Sequence, residues 1–197
     1  MKQAFNIGVF AIAPLAGASP AYAHLVGASG AGFSQGIGHP FTGPDHMLAM
    51  IAVGFWASQQ GGRALVVLPL LFPLMMGAGA FVGGEAGIPL AAIEVGVGAS
   101  VLVLGVLVAM NITVPLPVSA LLVALFALLH GHSHGTELPA AASPLGYAIG
   151  FMTSTLALHA IGMIAGLFAR VPSYPTLSRF AGSSVAAAGI MIISDVT

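Results

Sequence analysis

The sequence predicts an all-α integral membrane protein, a compact bundle of about six transmembrane helices behind an N-terminal signal peptide. Of its 197 residues, 58% are hydrophobic and only 5% are charged, and the mean hydropathy is +1.04. These values lie outside the range of soluble domains. The four Lys and Arg residues cannot neutralise a run of phosphates, which excludes nucleic-acid binding and leaves the lipid bilayer as the main surrounding.

The N-terminal residues have the pattern of a secretory signal. Lys2 precedes an apolar stretch at 5–17, and the Ala-Tyr-Ala sequence at 21–23 has the small-x-small form of a cleavage site. We expect residues 1–23 to be removed, which leaves a single transmembrane domain over 24–197. The alternative is an uncleaved first span, because residues 5–23 are just long enough to cross a bilayer.

Apolar segments of roughly membrane-crossing length recur along the rest of the chain. Polar or Pro/Gly interruptions divide them into six predicted spans: 41–58, 64–82, 88–110, 114–129, 145–169 and 177–193. A shorter, glycine-rich apolar stretch at 25–38 precedes the first of them. We predict a half-helix there, and therefore a broken helix near residues 39–46, which lipid permits only where the break is buried in protein or lines a cavity.

Orientation follows from the basic residues. Arg63 comes after the first span, and Arg170 and Arg179 lie between the fifth and sixth. The positive-inside rule places all three in the cytoplasm. We therefore expect a multi-pass protein of the bacterial cytoplasmic (inner) membrane whose mature N-terminus and 130–137 segment lie on the periplasmic, outer face.

Glycines spaced four residues apart within the spans predict close helix packing. Small residues at this spacing let helix backbones approach, which matters in lipid because no hydrophobic force drives helices together there. Three such pairs are Gly79 with Gly83, Gly146 with Gly150, and Gly162 with Gly166.

The first group of candidate ligands is the segment His-Pro-Phe-Thr-Gly-Pro-Asp-His at residues 39–46. Pro44 suits the first turn of a helix, and the Asp45 carboxylate suits the positive end of the helix dipole. His39 and His46 flank the break. Ionisable groups in membranes are costly and usually functional, so the three ligand types together favour a metal site at the outer end of the first span. The alternative is that Asp45 only caps a helix and the imidazoles bind carbonyls.

The second group is His-Gly-His-Ser-His-Gly-Thr-Glu at residues 130–137. On a continuous helix, His130, His134 and Glu137 share one stripe, and His132 points the opposite way. If Gly131 and Gly135 interrupt the helix and the segment is a loop, His132 joins the candidate ligands. The alternative is an exposed histidine-rich tract that collects metal from solution.

Two more ionisable residues lie within predicted spans. Glu94 is about two turns into the third span, and His159 is over halfway along the fifth. A buried carboxylate must be protonated or face a polar path, so Glu94 is a candidate relay for the ion. His159 is a candidate ligand or an ordinary core histidine. The chain has no Cys, so imidazole and carboxylate define the ligand chemistry, which suits a divalent transition metal.

Both histidine segments resemble signatures of one family. The first is similar to the H-x5-D-H motif of the HupE/UreJ nickel and cobalt permeases, and the second to their F-H-G-x-[AV]-H-G-x-E motif, except that Leu129 replaces Phe and Ser133 replaces Ala or Val. The resemblance covers nearly the whole chain. It implies uptake of Ni2+, with Co2+ as the competing ion, for the maturation machinery of hydrogenase or urease.

We therefore expect a metal-ion permease without a prosthetic group. In the expected path, His24, His130, His134 and Glu137 capture the ion, which passes to the 39–46 site and onward past Glu94. Acidification should weaken uptake, because imidazole must be deprotonated to bind metal. The oligomeric state stays open, with a homo-oligomer as one option.

Three other functions compete with a permease. An intramembrane hydrolase would need H-E-x-x-H or G-x-S-x-G, and the chain has neither pattern, so we expect no enzyme. A haem-binding redox bundle would need facing axial histidines within the membrane. A metal sensor or accessory protein would bind the ion without moving it.

Overall fold

The computed structural model describes residues 31–83, 90–135, 143–171 and 176–197, with the backbone alone at positions 31, 134 and 135. Within these ranges the chain forms seven helices and no strand, which confirms the predicted all-α class. Five of the helices, α3 to α7, are long and apolar enough to cross a membrane. The helices are α1 (Ala31–Thr42), α2 (Pro44–Gln60), α3 (Ala64–Gly83), α4 (Leu90–Ala109), α5 (Leu116–Gly135), α6 (Pro144–Ala169) and α7 (Leu177–Val196).

Helices α1 and α2 pack one after the other along the length of α6. Both run alongside α6 in the same direction. Gly36 of α1 lies against the backbone of Tyr147, and Gly54 of α2 lies against the backbone of His159. Only Gly43 separates the two helices, so α2 continues along α6 from the point where α1 ends.

This arrangement confirms the predicted broken helix and corrects its depth. The ring of His39 lies 5.9 Å from that of Phe151, and the carbonyl of Met50 meets His159. The residues between them, including Asp45, therefore lie beside the middle of α6. The sequence-based prediction of a site at the outer end of a 41–58 span was wrong, because α1 extends along α6 beyond the break.

Local chemistry explains why the helix breaks at Gly43. Pro44 has no N–H to donate to the preceding turn, so it begins a helix more easily than it continues one. Gly43 is extended at φ −101° and ψ 109°. The Thr42 hydroxyl donates to the His39 carbonyl at 2.8 Å and closes the end of α1. The segment is thus both the C-terminus of one helix and the N-terminus of the next.

Glycines hold the other helices in two further close pairs. In the pair α3·α5, which is parallel, Gly79 lies against the backbone of Leu128 and Gly131 against that of Met76. In the antiparallel pair α4·α7, Gly105 lies against the backbone of Ala186. Five of the six glycines in the predicted pairs lie against the backbone of a neighbouring helix, where a Cβ would clash: Gly79, Gly83, Gly150, Gly162 and Gly166.

The two ends of the bundle differ in charge. We call the end that carries Arg63, Arg170 and Arg179 the arginine face, and the other end the distal face. Near the arginine face, Trp56 donates to the carbonyl of Ile112 at 2.8 Å, and Gln59 donates to that of Val108 at 3.0 Å. These bonds attach α2 to the last turn of α4 and to the segment that follows it.

Candidate metal centre

The centre is built around Asp45 and His46 in the first turn of α2. Their side chains are joined by a hydrogen bond of 2.8 Å between His46 Nδ1 and Asp45 Oδ1. Asp45 keeps 24% of its side chain exposed, whereas His46 keeps 8%. The carboxylate therefore faces a cavity while the imidazole points into the bundle. Gly43 leaves room for this pair, because a Cβ there would lie 2.7 Å from Asp45 Oδ1 and would displace the carboxylate.

His130 of α5 packs directly against His46. The two ring centroids are 4.8 Å apart and nearly perpendicular, and His130 is fully buried. The sequence pattern predicted that His130 belongs to a separate capture group at the outer face. The structure places it in the same centre as Asp45 and His46, because α5 remains helical through Gly135 and carries the ring into the core.

Ser100 of α4 sets the tautomer of His130. Its single hydroxyl proton is donated to the Val97 carbonyl at 2.7 Å, so its oxygen accepts from His130 Nε2 at 2.9 Å. A neutral imidazole carries one proton, and His130 Nδ1 therefore bears the lone pair. That nitrogen is buried and has no hydrogen-bond partner among the described residues. Sequence reasoning missed Ser100, which only the packing of α4 on α5 brings to the site.

His39 forms the α1 side of the centre. Its ring centroid lies 6.3 Å from that of His46 and 5.8 Å from that of Tyr147. The predicted trio of His39, Asp45 and His46 is thus brought together at the helix break. The four side chains do not converge on one point, however: within the described ranges, no three His, Asp or Glu residues are placed to hold one ion together.

A cavity of about 340 Å³ leads from the distal face to Asp45. It is lined by Asp45, Glu94, Asp195 and Ser133, with apolar residues of α4 and α7. Glu94 lies one turn into α4, which begins at Leu90. The expectation that Glu94 lies deeper than the 39–46 site was wrong, since both line the same cavity.

Sequence reasoning also missed Asp195 as part of this cavity. The available signal was topological: an even number of spans between Glu94 and the C-terminus returns both residues to the same face. The carboxylates come from α2, α4 and α7, so no local motif connects them.

His159 of α6 lies one side chain away from this centre. Its Nδ1 is 2.6 Å from the Met50 carbonyl, and its ring contacts that of Phe72 at 5.3 Å. The Phe72 ring also contacts His130, with the two ring centroids 5.8 Å apart. His159 is fully buried, as predicted for a residue within a span.

The remaining predicted ligands are placed only in part. His132 is buried, and its backbone lies against Gly83. His134 belongs to α5, but its side chain lies outside the described residues, as do His24, Glu137 and the predicted signal peptide.

The arginine face has a larger cavity of about 830 Å³. Gln59, Asn111, Arg170 and Arg179 contribute its polar lining. Gln59 Oε1 is buried without a hydrogen-bond partner in the described part of the chain. Arg170 donates to the Ser58 carbonyl at 3.2 Å. This cavity is positively charged, in contrast to the carboxylate-lined cavity of the distal face.

Comparisons with known proteins agree with the motif resemblance. A family model described as "HupE / UreJ protein" matches residues 12–192. The chain is 42% identical to "Protein HupE" of Rhizobium leguminosarum bv. viciae over 182 residues, which cover 92% of this chain and 94% of that protein. No solved structure matches the chain.

Proposed function

Because this chain belongs to the HupE/UreJ family, we propose that it is a permease that carries a divalent transition-metal ion, Ni2+ in first place and Co2+ as the competitor, across the bacterial cytoplasmic membrane. Its all-helical bundle supports a membrane location. The choice of nickel and the delivery to hydrogenase or urease maturation rest on the family alone.

One observation carries the proposal. His130 Nδ1, a lone-pair nitrogen, is buried without a partner beside the His46–Asp45 pair. An unsatisfied buried polar group costs about 1–3 kcal/mol, and a packed apolar core offers no compensation. A ligand for a passing cation compensates this cost, and imidazole with carboxylate suits Ni2+ and Co2+.

The path begins at the distal face, which we take as periplasmic. Glu94 and Asp195 make the mouth of the path attractive to a cation. His24, His134 and Glu137 are proposed to assist capture there. The ion then reaches the Asp45 carboxylate, the first ligand that the cavity exposes.

Loading the centre requires only a local rearrangement. In the structure, Asp45 and His46 satisfy each other with one hydrogen bond, and an arriving ion takes over one or both groups. If the bond persists, Asp45 orients His46 for binding through Nε2, the arrangement found around many metal-bound imidazoles. His130 and His39 complete the ligand set as the rings turn toward the ion.

The test is uptake of radioactive nickel by cells that express the wild type or Asp45→Asn at equal membrane abundance. The substitution removes the charge with little change in shape. We expect uptake to fall by about tenfold or more, the scale seen when a metal site is disturbed. Cobalt and zinc as competitors rank the ions.

Two controls define the result. Gly77→Ala serves as a matched variant, because nothing lies within 4 Å of the new Cβ, and it should transport normally. If the wild type raises uptake of none of these metals, a sensor or accessory role replaces the permease.

A further inference from the structure

We propose that His159 Nε2 and Thr155 Oγ1 form a second, transient site for the transported ion, on the arginine-face side of Phe72. The inference rests on the proposed permease function and adds one ion-binding site to its path. Neither residue belongs to the segments 39–46 and 130–137 that carry the family motifs.

The tautomer of His159 is fixed by the backbone. A carbonyl oxygen can only accept, so the 2.6 Å contact between His159 Nδ1 and the Met50 carbonyl places the ring proton on Nδ1. The lone pair is then on Nε2. Metal-binding imidazoles commonly have this second hydrogen bond to a carbonyl, which orients the ring and leaves the other nitrogen for the metal.

The lone-pair nitrogen has nothing to bind within the described residues. His159 is fully buried, and Nε2 has no hydrogen-bond partner there. A histidine that served only the core would have a donor at this position, because a buried acceptor without one is destabilising. The packing that produces this geometry is specific: only glycine at position 54 lets α2 and α6 come close enough, since a Cβ would clash with the His159 carbonyl.

Thr155 supplies an independent observation. It precedes His159 by four residues on α6, a spacing that puts both side chains on one face of the helix, with Cβ atoms about 5–6 Å apart. Thr155 is fully buried, and its hydroxyl has no partner among the described residues. Its neighbour Ser154, by contrast, bonds to the carbonyls of Gly150 and Phe151 in its own helix. Two adjacent unsatisfied groups on one face suggest a shared ligand.

Phe72 separates this pair from the first centre. Its buried ring contacts both His130, at 5.8 Å, and His159, at 5.3 Å. An ion released by His130 reaches His159 once this ring moves. One imidazole and one hydroxyl bind a transition-metal ion weakly, which suits a station that must release its ion as readily as it accepts it.

The experiment uses proteoliposomes that enclose a nickel-sensitive dye. His159→Asn retains an N–H near the position of Nδ1, and so the bond to Met50, but lacks Nε2. Thr155→Val removes only the hydroxyl. We expect each to slow nickel influx by about tenfold, while nickel titrations of the purified protein show unchanged affinity at the Asp45 centre. Thr155→Ser and the matched control Ser154→Ala should transport as the wild type does.

Influx equal to the wild type in both His159→Asn and Thr155→Val would overturn the inference. So would a parallel loss of affinity at the Asp45 centre, because the residues would then act only through packing.

Equilibrium binding separates this inference from the permease itself. In an Asp45→Asn background, the number of nickel ions bound per chain should fall by one when His159→Asn is added, while binding by the other imidazoles persists. An unchanged number overturns the second site, whether or not the wild type transports nickel.

Discussion

At His130, a hydroxyl holds one ring nitrogen and thereby assigns the lone pair to the other. The Ser100 oxygen accepts from Nε2 because its own proton is committed to the Val97 carbonyl. At His159 the Met50 carbonyl has the same role with the opposite nitrogen. In each imidazole, an uncharged partner fixes the ring proton on one nitrogen and leaves the lone pair of the other nitrogen for a cation. Neither partner is a carboxylate that would compete for the ion.

Ser100→Ala tests this preparation. Without the hydroxyl, the His130 ring is free to change tautomer and orientation, so nickel affinity should fall by about tenfold or more. Isothermal titration of the purified protein measures it. Ser119→Ala is the matched control, because Ser119 is equally buried and bonds to Leu116 in its own helix. Equal affinities in both variants would contradict the role of Ser100.

At this scale the sequence indicates the candidate carboxylate and imidazole ligands but not the residues that support them. His39, Asp45, His46 and His130 stand out because ionisable groups are rare in apolar spans. Ser100 looks like any helical serine, and its partner is 30 residues away on another helix. Only the fold reveals such a contact.

Among the helices, the break at Gly43 and the glycine contacts decide where the ligands lie. The broken helix was predictable from Pro44 and the preceding short apolar stretch. Its depth was not, because it depends on how far α1 extends along α6. Glu94 was misplaced for a related reason: its depth depends on where α4 begins, and α4 begins two residues after the predicted span.

Gly131→Ala tests the dependence of the centre on helix spacing. Gly131 follows His130, and a Cβ there would clash with the Met76 carbonyl. Backbone cannot yield as a side chain does, so α5 must move away from α3, at a cost of about 1–3 kcal/mol. We expect a lower melting temperature and reduced nickel uptake. Gly77→Ala, on α3 with open space around it, should change neither; a normal Gly131→Ala protein would show that this contact is not required.

Over the whole molecule, charge is arranged from one face to the other. Carboxylates line the distal cavity, and arginines line the cavity of the arginine face. The first attracts a divalent cation and the second repels it, so the arrangement favours a low concentration of the ion at the second face. The positive-inside rule predicted from the sequence that the arginines share one face. The carboxylate-lined cavity at the opposite face could be recognised only from the fold.

Asp195→Asn tests the attraction at the mouth. Removing one charge should raise the nickel concentration needed for half-maximal uptake severalfold. The maximal rate should stay unchanged, because Asp195 lies at the mouth of the cavity, outside the centre formed by Asp45, His46 and His130. The difference from the wild type should shrink at high ionic strength, where exposed charges are screened. A lower maximal rate, insensitive to salt, would show instead that Asp195 is a ligand.

The glycine contacts group the described helices into three closely packed units: α1 and α2 with α6, α3 with α5, and α4 with α7. The centre draws on all three, with Asp45 and His46 from the first, His130 from the second, and Ser100 and Glu94 from the third. Any sliding of one unit past another therefore changes the distances between ligands. An ion bound by residues of all three units would hold the units in one register, and its release would remove that restraint. In the proposed permease, the occupancy of the centre would therefore be coupled to the relative positions of the three units.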